Sequence, residues 1–252
     1  MSMATLYLTI QGKGGIGKSF VSLLLAQYLR ESNTDVSIID TDSVNPTLSQ
    51  FKALNVQHLQ LSREHVIDQR ALDTLIAHVD GAGDNASVVV DVGSSGFETL
   101  MLYQAENRIF DLLQARGHHV VLNTIVAGGP DAEETMKGAM AILNATKVPT
   151  ILWLNAHLGP LEIDGYPIED ADFLHDKAHR IIGTVVLHKR TEATFGKDVH
   201  MMLTRRLTFE EVMTAFDLMP MTRIKRVKED VWSQLDDLAL PTLIENPQEA
   251  TG

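Results

Sequence analysis

The sequence contains no cysteine, which removes disulfides, thiolate nucleophiles and cysteine-ligated metal clusters together. Long apolar runs are missing as well. Stretches such as Val120–Leu122 and Ile151–Leu154 are strand-sized and far short of the roughly 20 residues that span a bilayer. The N-terminus has no charged segment leading into an apolar one, so no secretory signal is read. A soluble, cytoplasmic protein without membrane attachment is expected. Basic residues are scarce relative to acidic ones, 21 Lys and Arg against 33 Asp and Glu, for a net charge of −12. That balance opposes broad non-specific binding to nucleic acid, whose phosphates it repels. The deficit is uneven, because residues 180–230 carry ten basic against seven acidic side chains. Arg205, Arg206, Arg223, Lys225, Arg226 and Lys228 could form one basic face giving weak, salt-sensitive DNA binding, or only a solvated surface of mixed charge. What remains is a chain of 252 residues, 44% apolar, long enough for one domain with a full core. We assign residues 1–240 to that domain and 241–252 to a short, acidic, disordered tail.

The most informative stretch is Gln11-Gly12-Lys13-Gly14-Gly15-Ile16-Gly17-Lys18-Ser19. It follows the β-branched, apolar strand pattern of Thr5–Gln11 and opens an apolar-periodic helix over Ser19–Arg30. Gly-x-x-x-x-Gly-Lys-Ser in that setting is a phosphate-binding loop. Its glycines let successive backbone N–H groups turn inward, and the helix N-terminus adds partial positive charge. Lys18 would reach the β- and γ-phosphates of a nucleoside triphosphate, and Ser19 would hold Mg²⁺.

Two further strands end in carboxylates. Val36–Ile39 leads into Asp40-Thr41-Asp42, and Ser87–Val90 leads into Asp91 and a glycine turn, Gly93-Ser94-Ser95-Gly96. A short buried strand that delivers an Asp into such a turn suits a metal-supporting carboxylate, so Asp91 is assigned to Mg²⁺. Helices are expected over Glu64–Val79, Phe97–Leu113 and 131–146, and strands over His119–Ile125, Thr150–Leu154 and Ile181–Leu187. The alternation predicts an α/β fold, a doubly wound, mostly parallel sheet flanked by helices, with the site at the strands' C-terminal ends. The acidic first turn Asp131, Glu133 and Glu134 is expected to complement its helix dipole and nothing more. Thr208 and Glu211 have capping-box spacing. Ile224, Val227, Val231, Leu235 and Leu238 form an apolar stripe suited to core packing. His175 and His179 are four apart among aspartates, but without a His-Glu-x-x-His pattern they read as a surface cluster.

The second lysine in the loop, Lys13, narrows the class. Lys13-Gly14-Gly15-Ile16-Gly17-Lys18-Ser19 resembles the deviant Walker A motif of the ParA/MinD superfamily of P-loop ATPases. With Asp40-Thr41-Asp42-Ser43-Val44-Asn45 and the C-terminal part, the chain is similar to TraL-type ATPases of plasmid conjugal-transfer regions. The resemblance implies ATP and Mg²⁺ as ligands and an ATP-dependent homodimer, in which Lys13 crosses the interface to the partner's nucleotide as an arginine finger does. It implies a protein partner in a plasmid transfer or maintenance system. Asp42 matches the carboxylate that orients the attacking water, and this reading is preferred to the capping role that Ser43, Asn45 and Pro46 also suit. Asn155, at a strand end, matches the adenine-reading residue, and a turn role fits it too. Gly93 and Ser94 depart from the prolines usual after the metal-side Asp. Two other readings stay open: an ATP-gated assembly protein with negligible turnover, and a small-molecule transferase of the related synthetase branch.

Overall fold

The computed structural model describes residues 3–32, 35–63, 66–67, 69–238 and 240, so the tail assigned to 241–252 lies outside the described residues. In chain order the elements are β1 (Thr5–Thr9), α1 (Lys18–Ser32), β2 (Val36–Asp40), β3 (Gln57–His58), the hairpin β4 (Ser62–Arg63) and β5 (Val66–Ile67), α2 (Gln69–Asp80) and β6 (Ser87–Asp91). Then come α3 (Ser94–Asn107), α4 (Ile109–Ala115), β7 (His119–Ala127), α5 (Ala132–Ala145), β8 (Thr150–Asn155) and the hairpin β9 (Glu162–Ile163) and β10 (Tyr166–Pro167). The chain closes with α6 (Asp172–Asp176), β11 (Ile181–Leu187), α7 (Lys197–Thr204), α8 (Phe209–Ala215) and α9 (Leu218–Asp237).

Seven strands form one sheet in the order β11-β8-β7-β1-β6-β2-β3, and every neighbouring pair is parallel. Parallel strands covered on both faces must be apolar on both, which is why Ser87–Asp91 is buried at every position. Alternation divides the side chains into two layers. Tyr7, Val89, Val121, Ile151 and Trp153 pack against Val21 and Leu24 of α1 and against Phe209, Ile224 and Val231 of α8 and α9. Leu6, Leu8, Val88, Val90 and Leu122 face the opposite way, onto Leu72 and Leu75 of α2 and Phe110 and Leu113 of α4. The stripe on α9 is therefore a core face, with Ile224, Val227, Val231 and Leu235 buried. Thr208 and Glu211 form both bonds of the capping box that opens α8.

Two helices differ from expectation. The stretch Phe97–Leu113 is broken where Arg108 turns left-handed (φ 51°), donates its N–H to Gln104 O and closes α3. Gln104 Oε1 then accepts from Phe110 N at the start of α4. Apolar spacing continues across this break, so periodicity does not register it. Ser62–Arg63 and Val66–Ile67 pair antiparallel, and of the helix expected over Glu64–Val79 the described part is Gln69–Asp80, Glu64 itself lying outside the described residues.

Candidate functional site

The loop between β1 and α1 is built by two left-handed glycines, Gly15 (φ 78°) and Gly17 (φ 99°). Only glycine adopts such angles without steric cost. Between them Ile16 is buried as a plug, and Gly12 and Gly14 lie on the exposed side of the loop. Lys18 opens α1, and its buried ammonium donates to Lys13 O at 2.7 Å. Burial lowers its pKa, while the nearby Asp91 and Asp42 carboxylates act in the opposite sense.

Asp91 ends β6 directly beside the loop strand, in register with Thr9. Its Oδ1 accepts from Ser22 Oγ at 3.2 Å, whereas its buried Oδ2 has no hydrogen-bond partner among the described residues. Burial pushes this carboxyl up to about 7. The Ser19 and Ser22 hydroxyls and the Lys18 cation favour ionisation, and the Asp40 carboxylate disfavours it. An orphaned, buried carboxylate oxygen beside a serine and a lysine is a donor set that fits a divalent cation bound with phosphate.

Asp40 and Asp42 have different positions. Asp40 is wholly buried and organises its own loop, accepting from Asp42 N at 3.0 Å and from Ser49 N at 2.9 Å. Thr41 ties the loop to β6, its N–H and hydroxyl both donating to Asp91 O. Asp42 is half-exposed. Its Oδ1 accepts from the amides of Val44 and Asn45, both at 2.9 Å. A Cβ at Gly93 would stand 2.7 Å from Asp42 Cγ, so the departure at Gly93 has a steric reason: the turn after β6 must let Asp42 lie against it.

Lys13 projects from the loop to the first turn of α5, 2.7 Å from Glu134 Oε2 and 3.2 Å from Asp131 Oδ1. Glu134, and then Asp131, raise its pKa. The expectation that these acids serve only the helix dipole is thereby corrected, since they hold a loop lysine. Asn155 ends β8, its Nδ2 donating to Ile16 O at 3.0 Å and its Oδ1 accepting from His157 N at 3.2 Å. Its amide thus anchors the loop and caps a turn. It also lines a cavity of about 300 Å³ beside the loop, with Gly15, Gly17, Phe20, Leu187 and Phe195.

Gln11 carried no role in the sequence reading. Buried at the mouth of the loop, it donates through Nε2 to Ile125 O (3.0 Å) and Thr135 O (2.9 Å) and accepts from Gly12 N at 2.8 Å. A polar residue closing an otherwise apolar strand was its one signal in the sequence. Of the six basic residues grouped from the sequence, five make contacts with described residues of the chain. Arg223 pairs with Asp198, Lys225 with Glu229 and Lys228 with Glu31. Arg205 lies over Phe216, and Arg206 bonds Gln50. Among the described residues, no group of three or more His, Cys, Asp or Glu could hold a metal ion, and no helix is long and apolar enough to cross a membrane.

A phosphate loop with two lysines, followed by strand-end carboxylates in a parallel sheet, defines a P-loop NTPase fold of the ParA/MinD type. A ParA family profile, described as NUBPL iron-transfer P-loop NTPase, matches residues 2–78; this chain offers no cysteine for an iron–sulfur cluster. Two TraL proteins of Escherichia coli are 34% and 33% identical over 244 residues, covering 94% of this chain and 100% of theirs. The chain belongs to the TraL family. The solved structure of the MinD cell division protein of Aquifex aeolicus shares the fold, with a TM-score of 0.52 at 12% identity over 92% of this chain and 97% of that one.

Proposed function

We propose that the protein is a Mg²⁺-dependent ATPase that forms nucleotide-sandwich homodimers and works in the cytoplasm with a protein partner of a plasmid conjugation or maintenance system. The observation that carries this reading is Asp91 Oδ2, buried and unpartnered beside a phosphate loop. In the proposed site the loop amides and Lys18 grip the β- and γ-phosphates. Ser19 and Asp91 hold Mg²⁺, which neutralises phosphate charge when bound. The Oδ2 of Asp42, the oxygen not engaged by Val44 and Asn45, orients the attacking water and draws its proton as the γ-phosphoryl passes to it, giving ADP and phosphate. Lys13 of each copy leaves Asp131 and Glu134 to reach the other copy's nucleotide. The base enters the cavity at Asn155. Because five of the six grouped basic side chains have internal contacts, a protein partner is favoured over DNA.

The engagement of Asp42 Oδ1 by two backbone amides also supports a second reading, an ATP-gated assembly protein with negligible turnover. Phosphate release, nucleotide affinity and size-exclusion behaviour with ATP, ADP or no nucleotide separate the two. Lys18→Ala is expected to abolish ATP binding, and an unchanged dissociation constant would remove the phosphate-loop assignment. Asp42→Ala is expected to bind ATP but turn over on the order of a hundredfold more slowly. Normal turnover would leave Asp42 a capping residue, and ATP-driven dimers without phosphate release would select the second reading.

A further inference from the structure

Beneath the phosphate loop, on the sheet face covered by α1, three adjacent strands present polar side chains in one row. Thr9 of β1 is in register with Asp91 of β6 on one side and with Asn123 of β7 on the other. Residues directly opposite on neighbouring strands point to the same face, so the three side chains are neighbours. All three are fully buried. Each carries an atom without a hydrogen-bond partner among the described residues: Asp91 Oδ2, Thr9 Oγ1 and Asn123 Nδ2. Three such atoms in succession are a rarity that demands an explanation, since each unsatisfied buried group is costly.

Their chemistry is complementary. Asp91 Oδ2 accepts, Asn123 Nδ2 donates, and the Thr9 hydroxyl does both. The far end of the row is fixed, because Asn123 Oδ1 accepts from Trp153 Nε1 at 2.9 Å, and Trp153 is fully buried on β8 two residues before Asn155. The near end is fixed by Ser22 on Asp91 Oδ1.

We infer that Thr9, Asp91 and Asn123 bind an ordered water in this row, making Thr9 and Asn123 positioning residues that hold Asp91 Oδ2 and couple it to Trp153. A buried water typically makes about three hydrogen bonds to otherwise unsatisfied groups, and this row offers three. When Asp91 turns its oxygen toward a cation, the water's hydrogen bonds rearrange, and the change passes through Asn123 to the Trp153 indole. This inference rests on the reading of Asp91 as the metal-side carboxylate.

The test uses the indole as reporter. The chain has two tryptophans. Trp232 is half-buried and edge-on to the rings of Tyr28 and Phe209, so Trp232→Phe leaves Trp153 as the sole tryptophan emitter. In that background, Mg²⁺ with ADP is expected to shift Trp153 emission, and ADP with EDTA is not. Adding Thr9→Val or Asn123→Leu should abolish the shift and weaken Mg²⁺ for the ADP complex on the order of tenfold, the lower end for loss of an outer partner of a ligand. Thr9→Ser, which keeps the hydroxyl, should restore both. An unpartnered dry hydroxyl gives the opposite result: Thr9→Val, matched in shape, would then be neutral or stabilising to the ligand-free protein, and that outcome overturns the water. A Trp153 signal that persists in Thr9→Val, or never appears while calorimetry shows Mg²⁺–ADP bound, overturns the coupling. Absence of nucleotide binding in the parent protein would instead overturn the underlying reading of the site.

Discussion

Gly138 and Gln11 should behave as one unit in stability measurements, although 127 positions separate them. A Cβ at Gly138, on α5, would lie 2.1 Å from Gln11 Oε1 and 2.9 Å from its Nε2. Gly138→Ala and the Gln11 amide therefore cannot coexist. Displacing the amide gives up its bonds to Ile125 O, Thr135 O and Gly12 N, each contributing ~1 kcal/mol net. The better helix propensity of alanine returns up to ~1 kcal/mol, so Gly138→Ala is expected to cost ~2 kcal/mol. In a Gln11→Ala background the methyl meets no amide. There Gly138→Ala should be neutral or stabilising, a coupling of ~2–3 kcal/mol in the double-mutant cycle. Urea unfolding followed by circular dichroism reads this through the midpoint at constant m-value. Both single variants should also weaken nucleotide binding, because Gly12 begins the phosphate loop. Strict additivity, within ~0.5 kcal/mol, would refute the mutual exclusion.

The pH dependence of the ligand-free protein follows from Asp91. With its folded-state pKa raised to about 7, the folded protein binds more protons than the unfolded chain between the ordinary carboxylate value and neutrality. Stability must therefore fall as pH rises through that window. A shift of this size corresponds to on the order of 4 kcal/mol; Asp91→Asn should flatten the profile, and an unchanged slope in chemical denaturation would reject the assignment. Releasing Lys13 by Glu134→Gln together with Asp131→Asn should favour ATP-dependent dimers in analytical ultracentrifugation, most visibly at low salt, where the exposed ion pairs of the native protein are strongest. Equal dimerisation at all salt concentrations would show that the pairs do not compete. Gly93→Ala should push Asp42 from its place against the turn, lowering turnover more than ATP affinity. Equal loss in both would mean that the turn supports binding and not the water.

Residues 12–19 were legible in the sequence because conformational need and chemistry fall in one contiguous stretch: left-handed positions demand glycine, and the same loop carries its lysines. Strand-end carboxylates were legible for a similar reason, since a buried run ending in Asp fixes where that carboxylate emerges. Boundaries set by single backbone angles, such as the left-handed Arg108 between α3 and α4, left no mark in apolar spacing. The two-residue strands are too short for period two to show. Long-range pairings were illegible for a different reason, because periodicity specifies which face a side chain occupies and not which atom it meets.

That limit bears on function most at Lys13. The family resemblance implies that Lys13 serves the nucleotide, yet the fold places it on Asp131 and Glu134, with Glu134 121 positions away. The same loop is also held by Gln11, through β7 and α5, and by Asn155, through β8. Gly128 and Gly159 lock these elements together, since a Cβ at Gly128 would stand 2.1 Å from Gly159 O. Asp131 and Glu134 lie just beyond that crossing, on the first turn of the helix that also holds Gln11. A movement of α5 would therefore change the loop's support and the lysine's partners together. Under the proposed mechanism, nucleotide binding and release of Lys13 would be linked steps, with the linkage carried by contacts that no local motif encodes.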